Sequence, residues 1–263
     1  MNIVYYSEGM KHFGENMVKY MGFKRYDPKT DINKKVFFQG LYHEQDYQTF
    51  ANHMGERVLY WNGSDVLRTL MQGTWLWLIQ HTPAEHLCHS YWQQEVLRRV
   101  GVKVKIFPIF FGDLRRYQVH YEQSDTPQVF LTSHNGRDED YGVDIVERIA
   151  PKVPDITFHI YGAENETDNK NVVYHGWVKE EKMDKETRKF QGCIKGGSGG
   201  ISITLIKSIM MGQYPISFNK IKGIWHAPDD ESFIKQLNKL KDQYSPNLKL
   251  RKQYLNHFKH YGD

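Results

Sequence analysis

Residues 195–217 read KGGSGGISITLIKSIMMGQYPIS. A glycine-rich loop comes first, and the small hydroxyl residues Ser202 and Thr204 follow. Leu205, Ile206, Ile209 and Met210 then recur at helical spacing. Gly212 ends that helix, and Tyr214, Pro215, Ile216 and Ser217 open a strand. A glycine loop feeding a helix N-terminus is a site for anions. The first backbone N–H groups there are unpaired, and the helix dipole favours negative charge. Lys207 and the hydroxyls would add donors. A flexible linker ahead of a core helix fits the glycines equally well, because a lone glycine-rich loop is a weak signal.

The chain around this stretch has 263 residues, enough for two modest domains. It is 40% hydrophobic and 14% aromatic, which supports packed cores and excludes a disordered chain. A net charge of +4 allows an anionic ligand but falls short of the dense basic patch of a dedicated nucleic-acid binder. Cys88 and Cys193 lie far apart in sequence. Reduced thiols in a cytoplasmic setting are expected rather than a disulfide framework. The opening residues read as a short strand, so no signal peptide is expected, and no run reaches the length of a transmembrane helix.

In the first half, Asn2 to Ser7 reads as a buried strand. After the Gly9 loop, Phe13, Met17, Tyr20 and Met21 mark a helix capped by Gly22. The dinucleotide pattern G-x-G-x-x-G is missing, which argues against an NAD or FAD site. Lys34 to Gln39 is a second strand candidate, and Tyr42 to His53 a polar helix. Arg57 to Trp61 is a clearer strand that runs into Asn62, Gly63, Ser64 and Asp65. Polar residues at the carboxyl end of a parallel strand sit where α/β ligands bind. Asp65 reads either as a general base or hydroxyl-orienting group, or as a cap for the following helix; the two are compatible. Trp75 to Ile79 is the most apolar patch. It reads as a strand or helix of the core, or as an acceptor-stacking or peripheral membrane surface. His86 and His89, three apart on an expected strand, face opposite sides and do not suit a metal. Val102 to Ile109 reads as the last strand of this half.

Residues 113–127 are polar and charged and form the expected linker between domains at 1–112 and 128–245. Gln128 to Thr132 starts a second α/β unit. A polar loop with Ser133 and Arg137 follows, then a helix from Val143. Thr157 to Tyr161 is a strand ending at Gly162, and Val172 to Tyr174 another, before Trp177 and Val178. Residues 179–189 form a charged, solvated helix. Residues 246–263 form a basic aromatic helix.

The second half resembles the C-terminal domain of the large retaining family of GT-B glycosyltransferases, and the whole reads as a compact member, either phage-type or with an engineered loop at Gly196 to Gly200. The resemblance rests on Gly200-Ile201-Ser202 and 208–216, on 130–143, and on 158–162 with 171–178. It implies two Rossmann-like domains with parallel sheets facing a central cleft, and a terminal helix that can cross back to the first domain. It also implies transfer of a hexosyl or pentosyl unit from a nucleotide-diphosphate sugar, with retention and without a metal. No cofactor is implied, since the nucleotide-sugar, foremost a UDP-sugar, is a substrate. Arg137 stands where the family carries a phosphate-neutralising arginine, and Tyr141 where a lysine follows. Ser133, Gly200, Ser202, Ile203, Thr204 and Lys207 would line the donor phosphates. Gly162, Trp177 and Val178 would meet base and ribose. Gly9 would stand in the first loop, and Trp61, Gly63, Ser64 and Asp65 match a stretch frequent in related sugar transferases. Catalytic duty near the acceptor falls to Asn62, Ser64 and Asp65. The family's two glutamates fall at Gly199 and Lys207, neither of them acidic. A catalytically inert nucleotide- or sugar-binding relative is therefore an alternative. The acceptor is a small molecule, a glycan, or a hydroxymethylated base of phage DNA.

Overall fold

The computed structural model describes residues 2–134, 136–197 and 200–259. Gly199, one of the two glutamate positions, lies outside the described residues. The chain forms two compact units, one running to Asp113 and one from Leu114 to Phe258.

The first unit holds a six-stranded sheet of β1 (Ile3–Tyr5), β2 (Lys24–Arg25), β3 (Val36–Gln39), β4 (Arg57–Trp61), β5 (Glu85–Cys88) and β6 (Val104–Ile106). Every pairing is parallel, in the order β2-β1-β3-β4-β5-β6. Parallel strands are covered on both faces, which is why they read as apolar runs. Ile3, Val36, Phe38, Leu59 and Trp61 pack on one side, and Val4, Phe37, Val58 and Tyr60 on the other. Helix Glu44–Asn52 buries Tyr47 and Phe50 on the first side. Arg57, the half-buried first residue of β4, donates to the carbonyls of Phe50 and Ala51 and so supplies C-terminal partners for that helix.

Three sequence expectations are refined here. The patch around Trp75 is a helix, Gly73–His81, of which only Ile79 is fully buried. Trp75 stacks on Tyr47 at 4.1 Å, while Trp77 is exposed and stacks on His81. The strand expected over residues 102–109 is confined to Val104–Ile106. The strand at Glu85 stops at Cys88, because Ser90 turns the chain by accepting the Gln93 N–H as a helix cap. Both cysteines are free and buried. No helix among the described residues is long and apolar enough to cross a membrane.

The second unit holds β7 (Gln128–Thr132), β8 (Thr157–Tyr161), β9 (Val172–Tyr174), β10 (Gly192–Lys195), β11 (Tyr214–Ser217) and β12 (Trp225–His226). The order is β12-β11-β10-β7-β8-β9, again wholly parallel. From β7 the chain steps outward through β8 and β9. It then returns to lay β10 on the other side of β7. This is the Rossmann strand order, and its reversal between β7 and β10 leaves a crevice at the carboxyl ends of those two strands. Helix Val143–Ile149 buries Val143, Ile145, Val146 and Ile149 on one face of the sheet. Helix Asp230–Leu240 adds Phe233, Leu237 and Leu240, started by Asp229, whose carboxylate accepts the Ser232 N–H. In the terminal helix Leu248–Lys259, Arg251 donates to the Met210 carbonyl at 2.7 Å and so holds the end of helix Ile203–Met210.

Candidate functional site

The crevice of the second unit is built by three segments. β7 delivers Ser133, β10 delivers Lys195 and the glycine-rich loop, and helix Ile203–Met210 presents its N-terminus. Ser202 is the N-cap: its Oγ accepts the Leu205 N–H at 3.2 Å. The N–H groups of Ile203 and Thr204 have no acceptor among the described residues, so the first turn offers two backbone donors at its positive end. The hydroxyls of Thr204 and Thr132 are 3.1 Å apart, a link that ties the helix N-terminus to the end of β7 across the reversal.

The glycines here serve contact, not slack. A Cβ on Gly196 would lie 2.3 Å from the Gly142 Cα, and one on Gly142 would lie 2.5 Å from the Gly196 Cα. Gly142 also has φ +86, a left-handed conformation. The short helix Asp138–Tyr141, ended by Gly142, and the glycine-rich loop therefore meet backbone to backbone, joined by the Gly196 N–H on the Tyr141 carbonyl at 3.2 Å. The flexible-linker reading does not fit Gly196. This approach carries the side chains of Arg137, Tyr141 and Lys195 into one group. The Arg137 guanidinium lies 5.7 Å and the Lys195 ammonium 4.5 Å from the centroid of the Tyr141 ring. Arg137 also pairs with Asp140 at 2.8 Å. Lys195 donates to the Asp140 carbonyl at 3.3 Å, and burial lowers its pKa from the ordinary lysine value. The sequence reading singled out Arg137 but passed over Lys195; its place at a strand end beside the glycines was the available signal.

The remaining expected donor residues are spread around the crevice. Ser133 donates to Asp138 at 2.5 Å and lies against Gly162, whose Cβ would sit 2.3 Å from the Ser133 carbonyl. The Gly162 N–H donates to the Gly176 carbonyl at 2.7 Å. Trp177 follows directly and is 75% exposed, with Val178 half-buried beside it. Lys207 is different. It is 4% exposed, and its ammonium donates to Glu180 at 2.6 Å and Asp184 at 2.9 Å. Tyr117 lies 5.4 Å below it and donates its hydroxyl to Asp184. Lys207 is thus buried and its charge already matched by two carboxylates, that of Asp184 and that of the half-exposed Glu180. Nothing in the sequence linked it to partners 23 and 27 positions away.

In the first unit, the expected catalytic residues sit together in the turn after β4. Asp65 is wholly buried and accepts the N–H groups of Asn62 at 3.1 Å, Gly63 at 2.8 Å and Val66 at 3.0 Å. Burial pushes its carboxyl up to about 6 against the pull of these donors. Its geometry is that of a group which fixes the turn. Asn62 accepts from Gln39 at 3.0 Å and is half-buried, and Ser64 is exposed. Gly9 lies in a 3-10 turn, where a Cβ would meet only the Ser7 Oγ, at 4.0 Å.

No protein-family model and no curated protein sequence matches this chain. Solved structures do. An alpha-glucosyltransferase in complex with UDP and a 13-mer DNA containing an HMU base superposes with a TM-score of 0.61 at 10% identity, over 100% of this chain and 96% of that one. HepE from Anabaena, in complex with UDP and glucose, gives 0.57 at 10% identity over 97% and 98%. The GtfA/B complex gives 0.51 at 11% identity over 87% of this chain. This chain spans about half the length of that last relative, 54%. These likenesses, with two wholly parallel Rossmann-like sheets, give the chain the fold of the GT-B glycosyltransferases.

Proposed function

We propose that this protein is a glycosyltransferase that moves a hexosyl or pentosyl unit from a UDP-sugar to an acceptor hydroxyl. The observation that carries the reading is the convergence, at the β7/β10 reversal, of Arg137, Lys195 and the open N-terminus of helix Ile203–Met210. A diphosphate leaving group gains negative charge as the glycosidic bond breaks. Preorganised cations and N–H groups stabilise that charge without reorganising at the moment of reaction. Arg137 and Lys195 supply the cations, and Ile203 and Thr204 the N–H donors. Ser133, Ser202 and Gly200 border the phosphates. Trp177 and Val178, beside Gly162, provide the surface for the base. Lys207 is left out of the phosphate set, because its ammonium is buried and neutralised by Glu180 and Asp184. UDP is the nucleotide of choice because it occupies the complexes of two structural relatives. Retention, and transfer without a metal ion, are part of the proposal: the cations and helix N-terminus above can carry the charge of the departing diphosphate.

Acceptor recognition is assigned to the turn after β4. Asn62 and Ser64 would face the acceptor, with Asp65 holding the turn. A DNA acceptor with a modified base is the second reading, favoured by the relative bound to such a DNA. The test is release of UDP from UDP-glucose in the presence of glycan, small-molecule and hydroxymethylated-DNA acceptors. Release with one acceptor, lost in Arg137→Ala, supports transfer and names the acceptor class. Tight UDP binding with no release for any acceptor or sugar would overturn transfer and leave the inert binding protein, to which the missing carboxylates at Gly199 and Lys207 point.

A further inference from the structure

A cavity of about 130 Å³ lies elsewhere in the second unit. Arg116 and His120 line it from the segment after Leu114, Lys185 and Arg188 from the end of helix Glu180–Thr187, and Met211 adjoins them. Among the described residues, Arg116, Lys185 and Arg188 form no ion pair. Their neighbours do: Lys182 pairs with Glu186 at 3.7 Å and Lys189 with Glu122 at 2.9 Å. The Arg188 Nε is buried with no acceptor. One carboxylate lines the cavity, that of Asp184, and both of its oxygens are taken. Oδ1 accepts from Lys207, and Oδ2 from the Tyr117 hydroxyl. Cations at a helix C-terminus complement its dipole, which accounts for Lys185 and Arg188. It accounts neither for Arg116 nor for the unmet Arg188 donor.

We propose that this cavity is an oxyanion site for one phosphate group, separate from the donor site. Unpaired guanidinium groups suit it, since their forked donors match phosphate oxygens. The cavity has room for a tetrahedral anion. Met211 stands at the far end of helix Ile203–Met210 from Ser202, roughly 13 Å along the axis at ~1.5 Å per residue. One anion therefore cannot occupy both places. The phosphate can arrive free or on a sugar, or as a link of a nucleic-acid backbone; the recognising chemistry is the same. The proposal does not rest on the donor-site reading.

The test is titration of the full chain with inorganic phosphate, at ionic strength held constant with chloride, with and without UDP. A 12-base-pair DNA duplex titrated across a salt series is the second arm. The variants are the double substitution Arg116→Gln, Arg188→Gln, with Lys185→Gln as a milder one should the pair fail to fold, and Lys182→Gln as control. Phosphate binding that weakens at least fivefold in the cavity variants, holds in Lys182→Gln and is not competed by UDP supports the site with a free anion. Binding by DNA alone, with the salt slope reduced by about 0.9 for each phosphate contact removed, supports it with a backbone phosphate. Binding of neither probe, binding unchanged in the cavity variants, or competition by UDP overturns it.

Discussion

The ammonium of Lys195, at the end of β10, rests 4.5 Å from the centroid of the Tyr141 ring, at the end of the short helix Asp138–Tyr141. Tyr141 sits at the sequence position where the resemblance implies a lysine, and Lys195 brings a cation to that place from the neighbouring strand. Replacing Lys195 by Ala is expected to weaken UDP binding about tenfold, or ~1.4 kcal/mol, with Lys195→Arg restoring most of it. Calorimetric titration with UDP checks this. An unchanged affinity would remove Lys195 from the site.

Backbone contact between Gly142 and Gly196 leaves no room for a methyl group on either. Gly196→Ala is expected to cost about 1–3 kcal/mol, as overpacking does. Gly73→Ala, where nothing stands within 4 Å, should stay within about 0.5 kcal/mol. Urea unfolding of the two variants side by side measures the difference. Equal midpoints would mean that the loops do not pack as described.

Removing the buried cation of Lys207 leaves two carboxylates facing each other. Lys207→Met is expected to destabilise by about 1–3 kcal/mol, below the range for a fully buried pair because Glu180 is half-exposed and can be hydrated. A triple variant that also carries Glu180→Gln and Asp184→Asn should regain a good part of that loss. Thermal unfolding at fixed pH reads both.

The imidazoles of His159 and His175 lie within hydrogen-bonding distance, 2.9 Å between ring nitrogens, and the His175 ring stacks on Tyr161 at 4.3 Å. Burial, then the charge of His175, lowers His159 to about 4, while an unfolded histidine titrates near ~6.5. In that window the unfolded chain binds more protons, so stability present above pH ~6.5 is lost as the pH falls toward 4. His159→Phe is expected to flatten this slope. Unfolding midpoints between pH 4 and 7 test it, and a slope of equal size in the variant would place its origin elsewhere.

Much of the fold was legible because buried parallel strands are written as apolar runs such as Val36-Phe37-Phe38 and Val58-Leu59-Tyr60-Trp61, and because Gly22 and Gly212 mark helix ends with left-handed backbone. The two-residue strands β2 and β12 were not legible, since two residues carry no period. The Trp75 patch could not be assigned by hydrophobicity alone, because a short apolar run suits both strand and helix. At the site, the glycine-rich stretch announced the start of helix Ile203–Met210. What stayed hidden was long-range pairing: Gly142 with Gly196, Lys195 with Tyr141, and Lys207 with Glu180 and Asp184. These contacts join residues 23 to 54 positions apart, and no local pattern records them.

The central claim is a UDP site at the β7/β10 reversal, and thermal unfolding with UDP tests it most directly. At 100 times its dissociation constant, UDP should stabilise the protein by about 2.7 kcal/mol. At the same concentration Lys195→Ala should show a gain about 1.4 kcal/mol smaller, the signature of a tenfold loss of affinity. No shift in the unaltered protein, or an equal shift in both, would contradict the account.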